Sequence, residues 1–182
     1  MIINQKGYTL IELLVVMIIM ITVGIIVAAI LVSALRGSSK TNTIDTIRKN
    51  GNYTILQISK MLEFAQSFGG VYDSSLGAYK TDCANPSTPY SSIKIISFDN
   101  QQTIFSCNMS SSPPTIASNS ASLINTNEVL LTQCSFTCAR NVTVPPTIGI
   151  NFTLSQKNTN APFEKRETTG FQTSVILRNL NK

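Results

Sequence analysis

Few residues of this sequence could carry out catalytic chemistry. Histidine is absent from the 182 residues, which excludes His-dependent acid–base catalysis and His-ligated metal centres. Serine and cysteine nucleophiles are plentiful, but none has an evident base beside it. Phosphate-loop and dinucleotide fingerprints are also missing. We therefore predict that the protein is not an enzyme and that it uses no cofactor and no metal.

The charged residues argue against nucleic acid as a partner. Asp, Glu, Lys and Arg make up 13% of the chain, against about 25% in ordinary domains. The net charge is +5 from fourteen Lys and Arg residues that are scattered along the chain. Binding to phosphates needs such residues clustered in a patch or stripe, so we predict no specific nucleic-acid site.

The residues able to do redox chemistry are the four cysteines, Cys83, Cys107, Cys134 and Cys138. In an exported domain, four cysteines favour disulfides. A zinc site is the alternative, but the spacing lacks a C-x2-C knuckle and no histidine could complete the site.

The spacing narrows the pairing of these cysteines. If residues 128–138 form one strand, the Cα atoms of Cys134 and Cys138 lie about 13 Å apart at ~3.3 Å per residue. A disulfide reaches only about 7 Å between Cα atoms. Each should therefore pair with Cys83 or Cys107, unless a turn or bulge intervenes near Phe136, and which pairs with which stays open.

A single acidic residue, Glu12, precedes a long apolar run. Residues 13–35 contain no charge and as a helix would span about 34 Å, enough to cross a ~30 Å hydrocarbon core. A secretory signal peptide is one alternative, but its apolar region is usually only about 7–15 residues long. A plain membrane anchor fits better and leaves Glu12 unexplained, because an acidic side chain within a membrane is costly without a partner.

The string Lys6-Gly7-Tyr8-Thr9-Leu10-Ile11-Glu12 followed by this apolar run resembles the class III leader of type IV pilins and pseudopilins. In that family a short basic leader ends in Gly, an aromatic residue follows, and a Glu stands fifth in the mature chain. Two positions depart from the family pattern. Tyr8 replaces the usual Phe, and Ala29 stands where a Pro is common partway along the helix.

The resemblance implies a processing and assembly pathway. A membrane peptidase that is also a methyltransferase would cleave between Gly7 and Tyr8 and methylate the new amino group of Tyr8. Residues 1–7 would be the leader and residues 8–35 a helix that lies in the cytoplasmic membrane and later in a filament core. In the filament, the Glu12 carboxylate would pair with the amino terminus of a neighbouring subunit. A solvated first-turn carboxylate near the positive helix end is the alternative reading of Glu12.

A second helical pattern follows the membrane segment. Apolar residues recur at three- and four-residue steps, at Ile44, Ile47, Gly51, Ile55, Ile58, Leu62 and Ala65. We predict that residues 36–68 form an amphipathic second half of the helix, with this stripe packed on a sheet and Gly69-Gly70 ending it. A partner-binding role for the stripe is the alternative.

The rest of the chain, residues 69–182, predicts a β-rich extracellular domain. Residues 71–90 read as loop, and residues 93–98 and 103–107 as a hairpin. Longer strands are predicted at 128–137, 147–155 and 171–178. About five antiparallel strands on one helix give an α+β fold. The closing FQTSVILRN resembles the last strand of many pilin-like subunits.

These patterns together predict a prepilin: a structural subunit that assembles with other pilin subunits into a type IV pilus or related pseudopilus, as a minor pilin or pseudopilin. It would cross the cytoplasmic membrane once before assembly, with its C-terminal domain outside, and belong to a surface or periplasmic filament afterwards. The alternative is a membrane-anchored binding module for adhesion or DNA uptake.

Overall fold

The computed structural model describes residues 7–83, 88–140, 145–157 and 167–178. Within them lie one helix, α1 (Leu10–Glu63), and nine strands. The strands are β1 (Ser67–Asp73), β2 (Ala78–Lys80), β3 (Ser92–Ile96), β4 (Gln102–Asn108), β5 (Thr115–Ser118), β6 (Ala121–Ser122), β7 (Val129–Ala139), β8 (Thr147–Gln156) and β9 (Thr168–Ile176). The chain divides into two compact units, residues 1–41 and 42–182.

The strands form two antiparallel sheets. The larger has six strands in the order β2-β1-β3-β4-β5-β6, and the smaller has three in the order β7-β8-β9. A long apolar helix with antiparallel sheets confirms the predicted α+β class. The sequence prediction of about five strands was too low.

The missed strands are those with weak strand composition. Strand β2 and the last three residues of β1 lie in residues 71–90, which were predicted to be loop. Strands β5 and β6 are only four and two residues long. Strand β1 contains Gly69 and Gly70, a residue type depleted in strands. It pairs with β3 across a register shift at these glycines, so long-range pairing prevails over local propensity.

The predicted end of the helix was wrong. Helix α1 ends at Glu63, before residue 68, and Gly69-Gly70 is part of β1. The chain leaves the helix because the backbone N–H of Gln66 donates to the carbonyl of Ile96 at 2.8 Å, which starts the pairing with β3. Gly70 keeps a special role, since its φ is +116° and a Cβ there would crowd the Lys80 carbonyl.

The second half of α1 packs on the sheets through one stripe. Ile47, Gly51, Ile58 and Leu62 are buried, as predicted, and Thr54 is buried with them. The sheets contribute the rest of the same core, with Val71, Ile93, Ile95, Phe105, Ile116, Leu131, Phe136, Ile148, Ile150 and Leu154. The stripe is therefore core packing within this chain.

Gly51 allows a close approach of helix and sheet. A Cβ at this position would clash with the ring of Phe171 in β9. The ring of Phe171 stacks on Phe152 of β8, with centroids 5.2 Å apart. The glycine therefore allows an aromatic pair of the three-stranded sheet to lie directly against the helix backbone.

Polar side chains of α1 hold the segment before β7. The Thr54 hydroxyl donates to the backbone carbonyl of Leu123 at 3.0 Å. The side-chain amide oxygen of Asn50 accepts from the backbone N–H of Asn125 at 2.9 Å. The Asn50 amide also donates to the Glu128 carboxylate at 3.3 Å. These bonds satisfy a buried threonine and fix where β7 begins.

Two disulfides join β7 to strand β4 of the six-stranded sheet and to the segment that follows β2. The disulfides are Cys83–Cys138 and Cys107–Cys134, so the prediction that Cys134 and Cys138 each pair with one of the other two is confirmed. Between them, Phe136 exchanges backbone hydrogen bonds with Tyr90 at 2.7 and 2.9 Å. Three alternate residues of β7 are thereby joined to the rest of the domain.

A register shift in β7 explains how these residues face the core. The β7–β8 pairing shifts between Leu131 and Gln133. Before the shift the odd-numbered Val129 and Leu131 are buried, whereas after it the even-numbered Phe136 and Cys138 are buried. The extra residue of a bulge exchanges the faces of a strand. The bulge lies on the N-terminal side of Cys134, so the stretch that separates the two cysteines stays extended.

Candidate functional site

The predicted processing bond lies in accessible, non-helical chain. Gly7 and Tyr8 precede the first helical residue, Leu10. Tyr8 is 83% exposed, and nothing described lies within 4 Å of the position that a Cβ of Gly7 would occupy. The Gly7–Tyr8 bond therefore lies in exposed chain outside the helix.

Thr9 caps the helix that follows. Its carbonyl accepts from the N–H groups of Glu12 and Leu13 at 3.1 and 3.2 Å, and its hydroxyl oxygen lies 3.4 Å from the N–H of Glu12. Thr9-Leu10-Ile11-Glu12 matches the S/T-x-x-E pattern of a capping box. Sequence reasoning missed this role of Thr9, although the pattern is visible in the printed residues.

Glu12 therefore stands at the third position of the first helical turn. Its side chain is exposed, and its carboxylate forms no hydrogen bond or ion pair with any residue of the described ranges. The positive end of the helix dipole stabilises a carboxylate in this position. It also remains available to a cationic partner outside the chain.

The helix after Glu12 is apolar on every side. Residues 7–38 are all exposed, and the most apolar window of α1 reaches a mean hydropathy of 3.2 with none of its residues buried. By length and composition this segment could cross a membrane. Gly24 has open space around it, so no close helix contact within the described chain explains that glycine.

The cysteines are not a metal site. All four lie in disulfides, and no free cysteine remains, so none can offer a thiolate to zinc. Among the described residues, no group of three or more Cys, Asp or Glu side chains could hold a metal ion.

One charged pair in the six-stranded sheet is tightly held. The Lys80 ammonium lies 2.5 Å from the Asp73 carboxylate, and Ser75 donates to the same carboxylate from its backbone N–H and its hydroxyl. The hydrogen bond from Lys80, followed by those from Ser75, holds the pKa of Asp73 well below its usual value. The same bond raises the pKa of Lys80. The cluster closes the β1–β2 hairpin, and nothing in its geometry indicates chemistry.

Comparison with known proteins adds no relative: no family model, no curated protein and no solved structure matches this chain. The functional argument therefore rests on the residues themselves.

Proposed function

We propose that this protein is a prepilin-like structural subunit, processed between Gly7 and Tyr8 and assembled into a helical filament through its N-terminal helix. The observation that carries the proposal is the sequence Gly7 to Glu12 placed directly before a charge-free helix. In the structure the Gly7–Tyr8 bond is exposed and non-helical, which supports access by a peptidase.

The exposed apolar helix gives this proposal its physical reason. A helix that is apolar on all sides is stable only in lipid or among other apolar helices. The described chain provides no cover for residues 7–38. The membrane before assembly and the filament core afterwards can both cover this apolar surface. Transfer between the two environments needs no change in the helix itself.

Glu12 supplies specificity to that assembly. A packed bundle of apolar side chains has little to define its axial register. A buried carboxylate without a partner costs several kcal/mol, so only a register that brings an amino terminus to Glu12 is stable. The cleavage creates that amino terminus at Tyr8, and processing and assembly are thereby linked.

Mass spectrometry of the N-terminal peptide from exported protein tests the processing. We expect residues 1–7 to be absent and Tyr8 to carry one methyl group. Gly7→Leu should leave the precursor uncleaved, because a bulky side chain would crowd the peptidase. Gly37→Leu is the matched control, since Gly37 also has open space around it and lies outside the motif. An intact N-terminus in the exported wild-type protein would refute the proposal.

Filament incorporation tests the role of Glu12. Glu12→Ala should insert into the membrane and be cleaved normally, yet its recovery in sheared filaments should fall at least about ten-fold, the effect of about 1.4 kcal/mol. Asp45→Ala is the control, because Asp45 is an exposed acid on the same helix that pairs with Lys49. Normal incorporation of Glu12→Ala would contradict the proposed role of Glu12 in setting the axial register of the subunits.

A further inference from the structure

The three-stranded sheet differs from the six-stranded sheet in having no charged residue in any of its strands. Strands β7, β8 and β9 contain no Asp, Glu, Lys or Arg. The six-stranded sheet, by contrast, carries Asp73, Lys80 and Lys94 in its strands. Exposed strands usually carry charges that prevent unwanted pairing, so a charge-free surface needs a reason.

The face of this sheet away from the core is lined by amides and hydroxyls. Ser135, Asn151 and Gln172 form one row across the three strands, and Gln133, Thr153 and Gly170 form the next. Directly paired residues share a face. Their neighbours along the strands, such as Phe136 and Ile150, are buried in the core, which leaves these two rows on the outer side.

An open cavity of about 470 Å³ lies at these two rows. Its lining consists of both rows and the residues between them, Cys134, Phe152 and Phe171. Gly170 leaves room in it, because the atom nearest to a Cβ there would be the Thr153 hydroxyl at 4.0 Å. In the adjacent row the space over Gly149 is occupied by the Thr137 side chain, which makes a wall.

The polar side chains of the cavity form no hydrogen bonds with other described residues. The amides of Gln133, Asn151 and Gln172 and the hydroxyls of Ser135 and Thr153 have no hydrogen-bond partner among the described residues. Each of these groups can both donate and accept. Together they present hydrogen-bond donors and acceptors on three neighbouring strands about 4.8 Å apart.

We propose that this cavity binds a neutral saccharide, one or two sugar units long, such as the end of a surface glycan. Sugar hydroxyls donate and accept as the lining groups do, and they carry no charge that the lining would have to balance. An anionic or cationic ligand would find no counter-charge among the described residues that line the cavity, and an apolar ligand would leave the amides unpaired. The volume lies within the ~300–1,000 Å³ range of small-molecule sites.

A single site of this kind binds weakly, since its hydrogen bonds replace bonds to water and the rings of Phe152 and Phe171 are buried in the core. If the subunit is repeated along a filament, many sites act together and avidity rises by about 10²–10⁴. Only this gain depends on the proposed function. The site itself needs a single copy of the chain.

The test is glycan binding by the full chain, unassembled, in a detergent without a sugar head group. Neutral and anionic oligosaccharides are compared on an array, and the neutral ligand that binds is then titrated by NMR. We expect Asn151→Ala and Gln172→Ala each to weaken binding about ten-fold. Gln101→Ala, an exposed amide in the β3–β4 turn, should change nothing.

Gly170→Val separates loss of binding from loss of folding. The space at Gly170 admits a side chain, and a β-branched residue suits a strand, so this variant should keep wild-type thermal unfolding while filling the cavity and abolishing binding. Unchanged binding by Gly170→Val would overturn the proposal, as would a preference for anionic glycans or no binding to any neutral glycan. A filament defect in these variants without glycan binding would assign the face to subunit contact instead.

Discussion

The two halves of helix α1 differ in composition and in burial. Between Leu10 and Thr41 no residue is buried, whereas between Asn42 and Glu63 the residues Ile47, Gly51, Thr54, Ile58 and Leu62 are buried. The cause is the pattern of polar residues. In the second half they occupy one side and leave a stripe for the core, while in the first half apolar side chains occupy all sides.

The difference separates the part of the chain that contributes to a core of its own from the part whose apolar surface depends on its surroundings. Residues 42–182 form one core from the helix stripe and both sheets. The apolar half needs lipid or other helices. Substitutions of the same chemical kind should therefore have different effects in the two regions.

The largest effect is expected from the double variant Cys83→Ala/Cys138→Ala. These cysteines are separated by 55 residues, and a loop of that length corresponds to about 4 kcal/mol of stability. Hydrogen exchange followed by mass spectrometry should show faster exchange across residues 42–182 in detergent and unchanged protection in residues 13–35. Slower or equal exchange in the domain would show that the cross-link does not stabilise it.

A smaller loss is expected from Ile58→Ala, which deletes a fully buried side chain. The cavity should cost about 3 kcal/mol of unfolding free energy. Ile26→Ala is the matched control, because Ile26 is 60% exposed and lies in the apolar half. Urea unfolding in micelles measures both variants, and equal losses would contradict the contrast between the two halves.

Gly51→Ala should lower domain stability by about 1–3 kcal/mol, the usual cost of overpacking a core, because the added Cβ meets the Phe171 ring. Gly24→Ala should be neutral or stabilising by about 0.5–1 kcal/mol, since alanine is the better helix former and Gly24 has open space. Thermal unfolding compares the two. A stabilising Gly51→Ala would show that the ring can move away.

The smallest effect concerns pH and the Asp73–Lys80 pair. The pKa of Asp73 is depressed in the folded state, so its ionised form contributes stability above the unfolded value of about 3.9. That contribution is lost as pH falls through the depressed folded pKa. Asp73→Asn should therefore be less stable than wild type at pH 7, with the difference shrinking below about pH 4. A constant difference at all pH values would contradict the assignment.

Local patterns predicted the features that depend on nearby residues. The periodicity of residues 44–62 located the buried stripe, and alternation located β7, β8 and β9 to within a few residues. Strand spacing also excluded a Cys134–Cys138 bridge. The α+β class follows from these elements alone.

Features set by distant residues were not predictable. Gly69-Gly70 has the composition of a helix stop, yet pairing with β3 makes it a strand. The periodicity placed Gly51 in the buried stripe, but its contact with the ring of Phe171, far along the chain, was not predictable. In the candidate site, the Thr9 cap was readable from Thr9-x-x-Glu12, whereas the uncharged cavity depends on three strands being placed side by side.

The disulfides also set how far the chain can be stretched. Cys107–Cys134 lies inside the loop closed by Cys83–Cys138, so the outer bridge alone withholds a sequence separation of 55 residues from extension. At about 3.5 Å per extended residue this is roughly 190 Å of contour length. A pull on the two ends of an oxidised molecule could lengthen it only through the remaining chain. Under tension, the oxidised protein therefore has a maximum extension that is set by the chain outside the disulfide-closed loop.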